Sequence, residues 1–216
     1  MKKIIFTLLI TIFSITVHAA ATIDKTIELQ KQWDQISFGI NNKSDQKKEF
    51  QKLSEKADFY LKEYPNSAEI KAWAGIIYST EASFYKLNIP KALKVISKAK
   101  DVLDEAIMIN PEVLKGGVYS SLGLMYSKVP GKPISFGDKV LAKTFLLKGL
   151  ELNSDGMIAN YFLAQYYYNE KDYETALSYF EKSKKGIFPP NREVAKVGTI
   201  KEINIWIEKT KSQIWN

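Results

Sequence analysis

From Thr22 to the end of the chain, apolar residues recur at three- and four-residue intervals, and no stretch alternates with period two for long. Such spacing lines apolar side chains along one face of a helix, so the pattern predicts an all-α fold. The punctuation is regular. YPNSAE at Tyr64–Glu69, INPE at Ile109–Glu112 and LNSDG at Leu152–Gly156 each follow a lysine-rich amphipathic stretch. Each also supplies an Asn or Ser able to cap the next helix. Asn66, Asn110 and Asn153 stand 44 and 43 residues apart, a period that predicts stacked helix pairs.

Before Thr22 the pattern is of another kind. Lys2 and Lys3 precede an apolar run from Ile4 to Val17, and Val17 and Ala19 meet the small-residue rule for cleavage after Ala19. This predicts a signal peptide over residues 1–19. A retained anchor is the rival reading, but a run of about 14 residues that includes four Thr and Ser falls short of the roughly 18 a span needs. Cleavage leaves an exported, periplasmic protein starting at Ala20, with no cysteine for lipid attachment and no stable membrane insertion. The remainder divides into N-terminal helices over 20–67, three helix pairs over 68–111, 112–154 and 157–188, and a C-terminal helix over 189–216. That last segment, with Ile203, Ile205, Trp206 and Trp215, is expected to cap the exposed apolar face of the third pair.

The third pair carries a recognisable register. Leu163, Ala164 and Tyr167 are followed by Tyr173, Ala176 and Phe180, and the joint spacing resembles the tetratricopeptide repeat. Gly75 and Tyr78 with Ala99, Leu103, Ala106 and Pro111 echo it with a longer connection. So do Leu122, Gly123 and Tyr126 with Ala142 and Leu146, while Leu53, Ala57, Tyr60 and Pro65 read as half of a degenerate leading pair. The resemblance implies a right-handed α-solenoid whose concave groove comes from the first helix of each pair. Transferred residue by residue, the groove positions are Ile76, Ser79 and Thr80, then Ser120, Leu124 and Lys128, then Tyr161, Gln165, Tyr168 and Asn169. Apolar bodies with amide and hydroxyl tips suit an extended peptide or an amphiphilic small molecule. The plainer alternative is an inner face that merely meets solvent or is covered by the C-terminal helix.

One irregular stretch interrupts the middle pair. Ser127–Asp138 (SKVPGKPISFGD) breaks a helix at Pro130, Gly131 and Pro133 and restarts one after Gly137, with Asp138 as cap. It is either a connector packing Ile134 and Phe136 onto the helices or a loop in which Pro130, Gly131, Phe136 and Asp138 shape one end of the groove. This VPG-x-P-I-x-FGD loop, the turn Asn153–Gly156 and the run Asn160–Phe162 resemble the periplasmic T components of TRAP transporters, as do Arg192, Glu202 and Ile203 in the tail. Lys132 stands where that group often has an aromatic, and the lipid-accepting cysteine is missing. The resemblance implies a periplasmic accessory with an internal cleft or pore for apolar ligands, working beside a solute-binding protein.

Composition narrows the chemistry. There is no cysteine, and the one histidine, His18, lies in the leader. Ser-His-Asp and Cys-His catalysis and most zinc sites are thereby excluded from the processed chain. No catalytic, metal or cofactor site is expected. Asp101, Asp104 and Glu105 alternate with Lys94, Lys98 and Lys100 as an ion-pair lattice on a helix surface. Removal of Lys2 and Lys3 takes the net charge from +7 to +5, and Arg192 is the only arginine, which argues against a nucleic-acid partner. Two functions stay open: a non-catalytic module that binds a protein or peptide in its groove, and a ligand-handling accessory of a TRAP-type transporter.

Overall fold

A computed structural model describes the backbone of residues 2–215 and the side chains of residues 21–215. The expected leader, residues 1–19, lies outside the described side chains. The chain is all-helical: α1 (Lys2–Gly39), α2 (Lys43–Glu63), α3 (Ala68–Ala82), α4 (Ile89–Ile109), α5 (Gly117–Lys128), α6 (Lys139–Leu152), α7 (Met157–Asn169), α8 (Tyr173–Lys184) and α9 (Glu193–Ile214). Among the described residues no helix is long and apolar enough to cross a membrane.

The sequence stops and starts these helices by local chemistry. The side chains of Asn42, Ser67, Asn88, Asp138 and Asp172 accept the first free N–H groups of α2, α3, α4, α6 and α8. Asn110 and Asn153, expected to cap the next helix, instead close α4 and α6, and α5 and α7 begin at Gly116 and Gly156 without a side-chain cap. Between α4 and α5, Leu114 and Lys115 take left-handed backbone angles ahead of Gly116, which turns the chain sharply.

Consecutive helices pack as α3 on α4, α5 on α6 and α7 on α8, while α5 touches both α3 and α7. Small residues mark the crossings. A Cβ on Gly123 would meet the Ala142 carbonyl and the Leu146 nitrogen at 2.8 Å, and Gly75 lies equally hard against Leu103. Ala164 and Ala176 are wholly buried between α7 and α8. Backbones can approach this closely only where side chains nearly vanish.

The N-terminal helices are tied down by side chains. Gln46 donates its amide to the carbonyls of Ile36, Ser37 and Ile40, which fixes the turn from α1 into α2. Glu28 on α1 accepts from Lys56 Nζ at 2.8 Å and from the Tyr60 hydroxyl at 2.7 Å, both on α2. These two donors, Lys56 first, pull its carboxyl down to about 2 from an ordinary 4.5. A depressed carboxyl stabilises the fold above its unfolded pKa, and the contribution disappears as pH falls through the folded value. Glu28→Gln is therefore expected to cost about 1 kcal/mol at pH 7, given solvent screening of this one-third-exposed group. The deficit should shrink between pH 4.5 and pH 2, read from urea midpoints of both proteins; a deficit independent of pH would exclude this role.

The C-terminal helix departs from expectation. Ile203 and Ile207 of α9 are buried against α8, and Trp206 stacks on Phe180 with centroids 5.7 Å apart. Ile205 and Trp215, expected in the same cap, are 67% and 71% exposed. Ile205 sits on the opposite side of the helix from the Ile203 row, and Trp215 follows the last helical turn. Besides covering α8, α9 reaches back to α1. Arg192, at its start, makes a two-pronged bond to Asp34 through Nε at 3.0 Å and a terminal nitrogen at 2.5 Å. Trp33, Trp73 and Phe188 surround the guanidinium, and both side chains are nearly buried, at 11% and 7% exposure. One turn into α9, Gly198 lies so close to the Phe38 ring that any side chain there would collide with it. The first and last helices of the described chain thus meet.

Candidate functional site: an inner cavity

Where α9 returns to α1, the helices leave a cavity of about 510 Å³. Its walls come from α1 (Trp33, Ser37, Phe38), α2 (Lys43, Gln46, Phe50), the α3 end (Thr80, Ser83, Phe84), α5 (Leu124, Lys128), α7 (Ile158, Tyr161, Phe162, Gln165) and α9 (Thr199, Glu202, Ile205, Trp206). The helices α4, α6 and α8 supply nothing. Only the first helix of each pair faces inward, because the second lies behind it at the glycine and alanine crossings. A second cavity of about 600 Å³ adjoins the first, shares Ser37, Phe38, Lys43 and Gln46 with it, and is completed by the N-terminal half of α9.

Of the residues expected in a groove, Thr80, Leu124, Lys128, Tyr161 and Gln165 line the cavity. The others do not. Ile76 and Ser79 are half-buried on α3 outside it, with the Ser79 hydroxyl bonded to the Ile76 carbonyl. Ser120 is fully buried at the α5–α6 crossing, where a Cβ on Gly149 would collide with its hydroxyl. Tyr168 packs edge-on against Trp206 at 5.0 Å and Tyr173 at 5.3 Å, so α9 covers it. Asn169 is exposed at the end of α7 and away from the cavity.

The irregular loop is also elsewhere. Pro130 and Gly131 are exposed, Asp138 caps α6, and Phe136 packs edge-on on Tyr126 at 5.1 Å with Lys100 of α4 above its ring. None of the four lines the cavity. The loop is an ordered connector, held by bonds from Gly137 N to the Pro130 carbonyl and from Asp138 N to the Tyr126 carbonyl. Ile134, expected to pack with Phe136, is exposed instead.

The polar groups of the cavity are arranged along α7. The Tyr161 hydroxyl donates to Glu202 Oε2 at 3.2 Å, and one turn later Gln165 Oε1 accepts from Lys128 Nζ at 3.0 Å. Burial pushes the Tyr161 hydroxyl well above the usual tyrosine range, with Glu202 adding to the effect, so it stays a neutral donor. Burial likewise raises the Glu202 carboxyl, opposed by the Tyr161 bond and by Lys43 and Lys128. Lys128 is pushed down by burial, with Glu202 opposing. Both Lys128 and Glu202 keep accessible surface, so the cavity is open to water at these two charges. Lys43 Nζ donates to Gln46 Oε1 at 2.9 Å. The arrangement can hold and orient a guest through charge and hydrogen bonds against aromatic walls.

Sequence reasoning missed every wall contributed by α1, α2 and α9. The signal on α9 is a stripe at Thr199, Glu202, Ile205 and Trp206, which share one helical face. Glu202 stands out as the one charge in that stripe. Among the described residues no group of three or more His, Cys, Asp or Glu is placed to hold a metal ion. Comparison with known protein families and with curated proteins finds no match for this chain.

Proposed function

We propose that this is a non-catalytic binding protein of the periplasm that holds a small molecule in its inner cavity and hands it on as an accessory of a TRAP-type solute transporter. The observation that carries the reading is the cavity lined by the inner faces of α3, α5 and α7 and by residues of α1, α2 and α9. At about 510 Å³ it falls in the range of small-molecule sites, which are mostly apolar with a few placed polar groups. A right-handed tetratricopeptide-like stack accounts for why the first helices face inward. The non-catalytic part rests on sequence, since outside the leader the chain has neither His nor Cys. An open groove for a protein or peptide partner is the weaker reading, because Tyr168 lies under Trp206 and Ser120 inside a helix crossing. The solute-binding protein implied by the loop motif is the partner this reading gives the protein.

The test is to fill the cavity. Leu124→Trp, a half-buried wall position, should weaken binding of the apolar fluorophore anilinonaphthalene sulfonate at least about tenfold while the melting temperature changes little. Native mass spectrometry should show a bound small molecule on the wild-type protein and none on the variant. Equal fluorophore binding by both proteins, with no bound mass on either, would overturn the reading.

A further inference from the structure

Two side chains of opposite charge face the cavity and do not pair with each other. Lys128 has no carboxylate within 4.0 Å, and Glu202 has no lysine or arginine at that range, among the described residues. Each is oriented by a neutral partner instead, Lys128 by the Gln165 amide oxygen and Glu202 by the Tyr161 hydroxyl. Tyr161 and Gln165 are one turn apart on α7, so a single helix sets the position of both charges. Both side chains keep contact with water at the cavity, so each is held in place by its neutral partner and open to an opposite charge on a guest. Elsewhere the chain joins opposite charges directly, as Arg192 with Asp34 shows.

Resting on the reading of the cavity as a ligand site, we infer that its ligand is a zwitterion with an apolar body: an apolar amino acid or short peptide with free ends, its carboxylate at Lys128 and its ammonium at Glu202. A ligand with one charge satisfies one end and leaves the other unpaired. A fatty acid would set its carboxylate at Lys128 and leave Glu202 without a cation. In the same cavity Leu124, Ile158, Phe162 and Trp206 provide apolar contact for side chains. Lys43 is the remaining charge, but it is held by Gln46 of its own helix and shared with the second cavity, so it does not define an end of the ligand.

The test is calorimetry on the full protein with four probes: leucyl-phenylalanine, its N-acetyl form, its C-terminal amide, and laurate. The free dipeptide is expected to bind, and removal of either charge should weaken it about tenfold or more. Lys128→Met should erase the difference between dipeptide and amide while keeping that between dipeptide and acetyl form. Glu202→Gln should do the reverse. Each variant therefore checks the other, and a melting curve confirms that both are folded. Laurate or the blocked dipeptides binding as tightly as the free dipeptide would overturn the zwitterion. If none of the four binds while the fluorophore still binds in a way that Leu124→Trp blocks, the zwitterion fails and the cavity reading stands. If the fluorophore is also indifferent to Leu124→Trp, both fail.

Discussion

Replacement of Arg192 by alanine is expected to destabilise the protein by about 3–5 kcal/mol, far beyond the usual loss of a surface ion pair. The reason is what remains. Asp34 is 7% exposed and takes both prongs of its pairing from this one guanidinium, so truncation leaves a buried carboxylate facing indole rings. Lysine should not rescue, because an ammonium cannot make the two-pronged bond or lie flat between Trp33, Trp73 and Phe188. Asp34→Asn in the Arg192→Ala background should recover part of the loss, since the stranded charge is then gone. Urea unfolding of the three variants measures this. A cost below about 1 kcal/mol for Arg192→Ala would mean that the pair behaves as a solvated one.

Phe180→Ala is the second large effect, expected at about 3–5 kcal/mol for a fully buried aromatic. Phe180 is the floor beneath two walls of the cavity. It stacks on Trp206 at 5.7 Å with planes 17° apart and lies 6.0 Å from the Tyr161 ring. Its removal should loosen α9 from α8 and disturb the tyrosine that holds Glu202. Loss of stability should therefore be accompanied by a shift in tryptophan fluorescence and weaker fluorophore binding. A loss under about 1 kcal/mol would show that neighbouring side chains collapse into the space.

The all-helical fold was legible because three- and four-residue spacing is a local property of the chain. The close approaches at Gly75, Gly123, Ala164 and Ala176 were legible for a related reason: two backbones can meet only where side chains are small, and each of these positions falls at the same place in the register of its helix. Thr80, Leu124, Lys128, Tyr161 and Gln165 came from carrying one register across three pairs. Tyr168 failed by the same method, though it lies two turns along the helix from Tyr161. The pattern within α7 holds no record that Trp206, almost forty residues later, covers that end. Ser120 failed because a hydroxyl reads as polar, yet it sits 3.4 Å from the Gly116 carbonyl one turn back, a contact that lets it be buried. Arg192 was conspicuous as the only arginine, but its partner is one acid among many and 158 residues away.

That separation has a consequence for how the molecule comes apart. A row of helix pairs with free ends frays from either end, each pair being held by its neighbours alone. Here the bond between Arg192 and Asp34 joins the two ends, and closing so long a stretch of chain is entropically unfavourable until the intervening pairs are in place. The joint is therefore expected to form late in folding, with its energy appearing in the unfolding rate. Loss of this one arginine is thus expected to speed unfolding, and cleavage by proteases that act on opened chains, by opening a seam that no single helix pair contains.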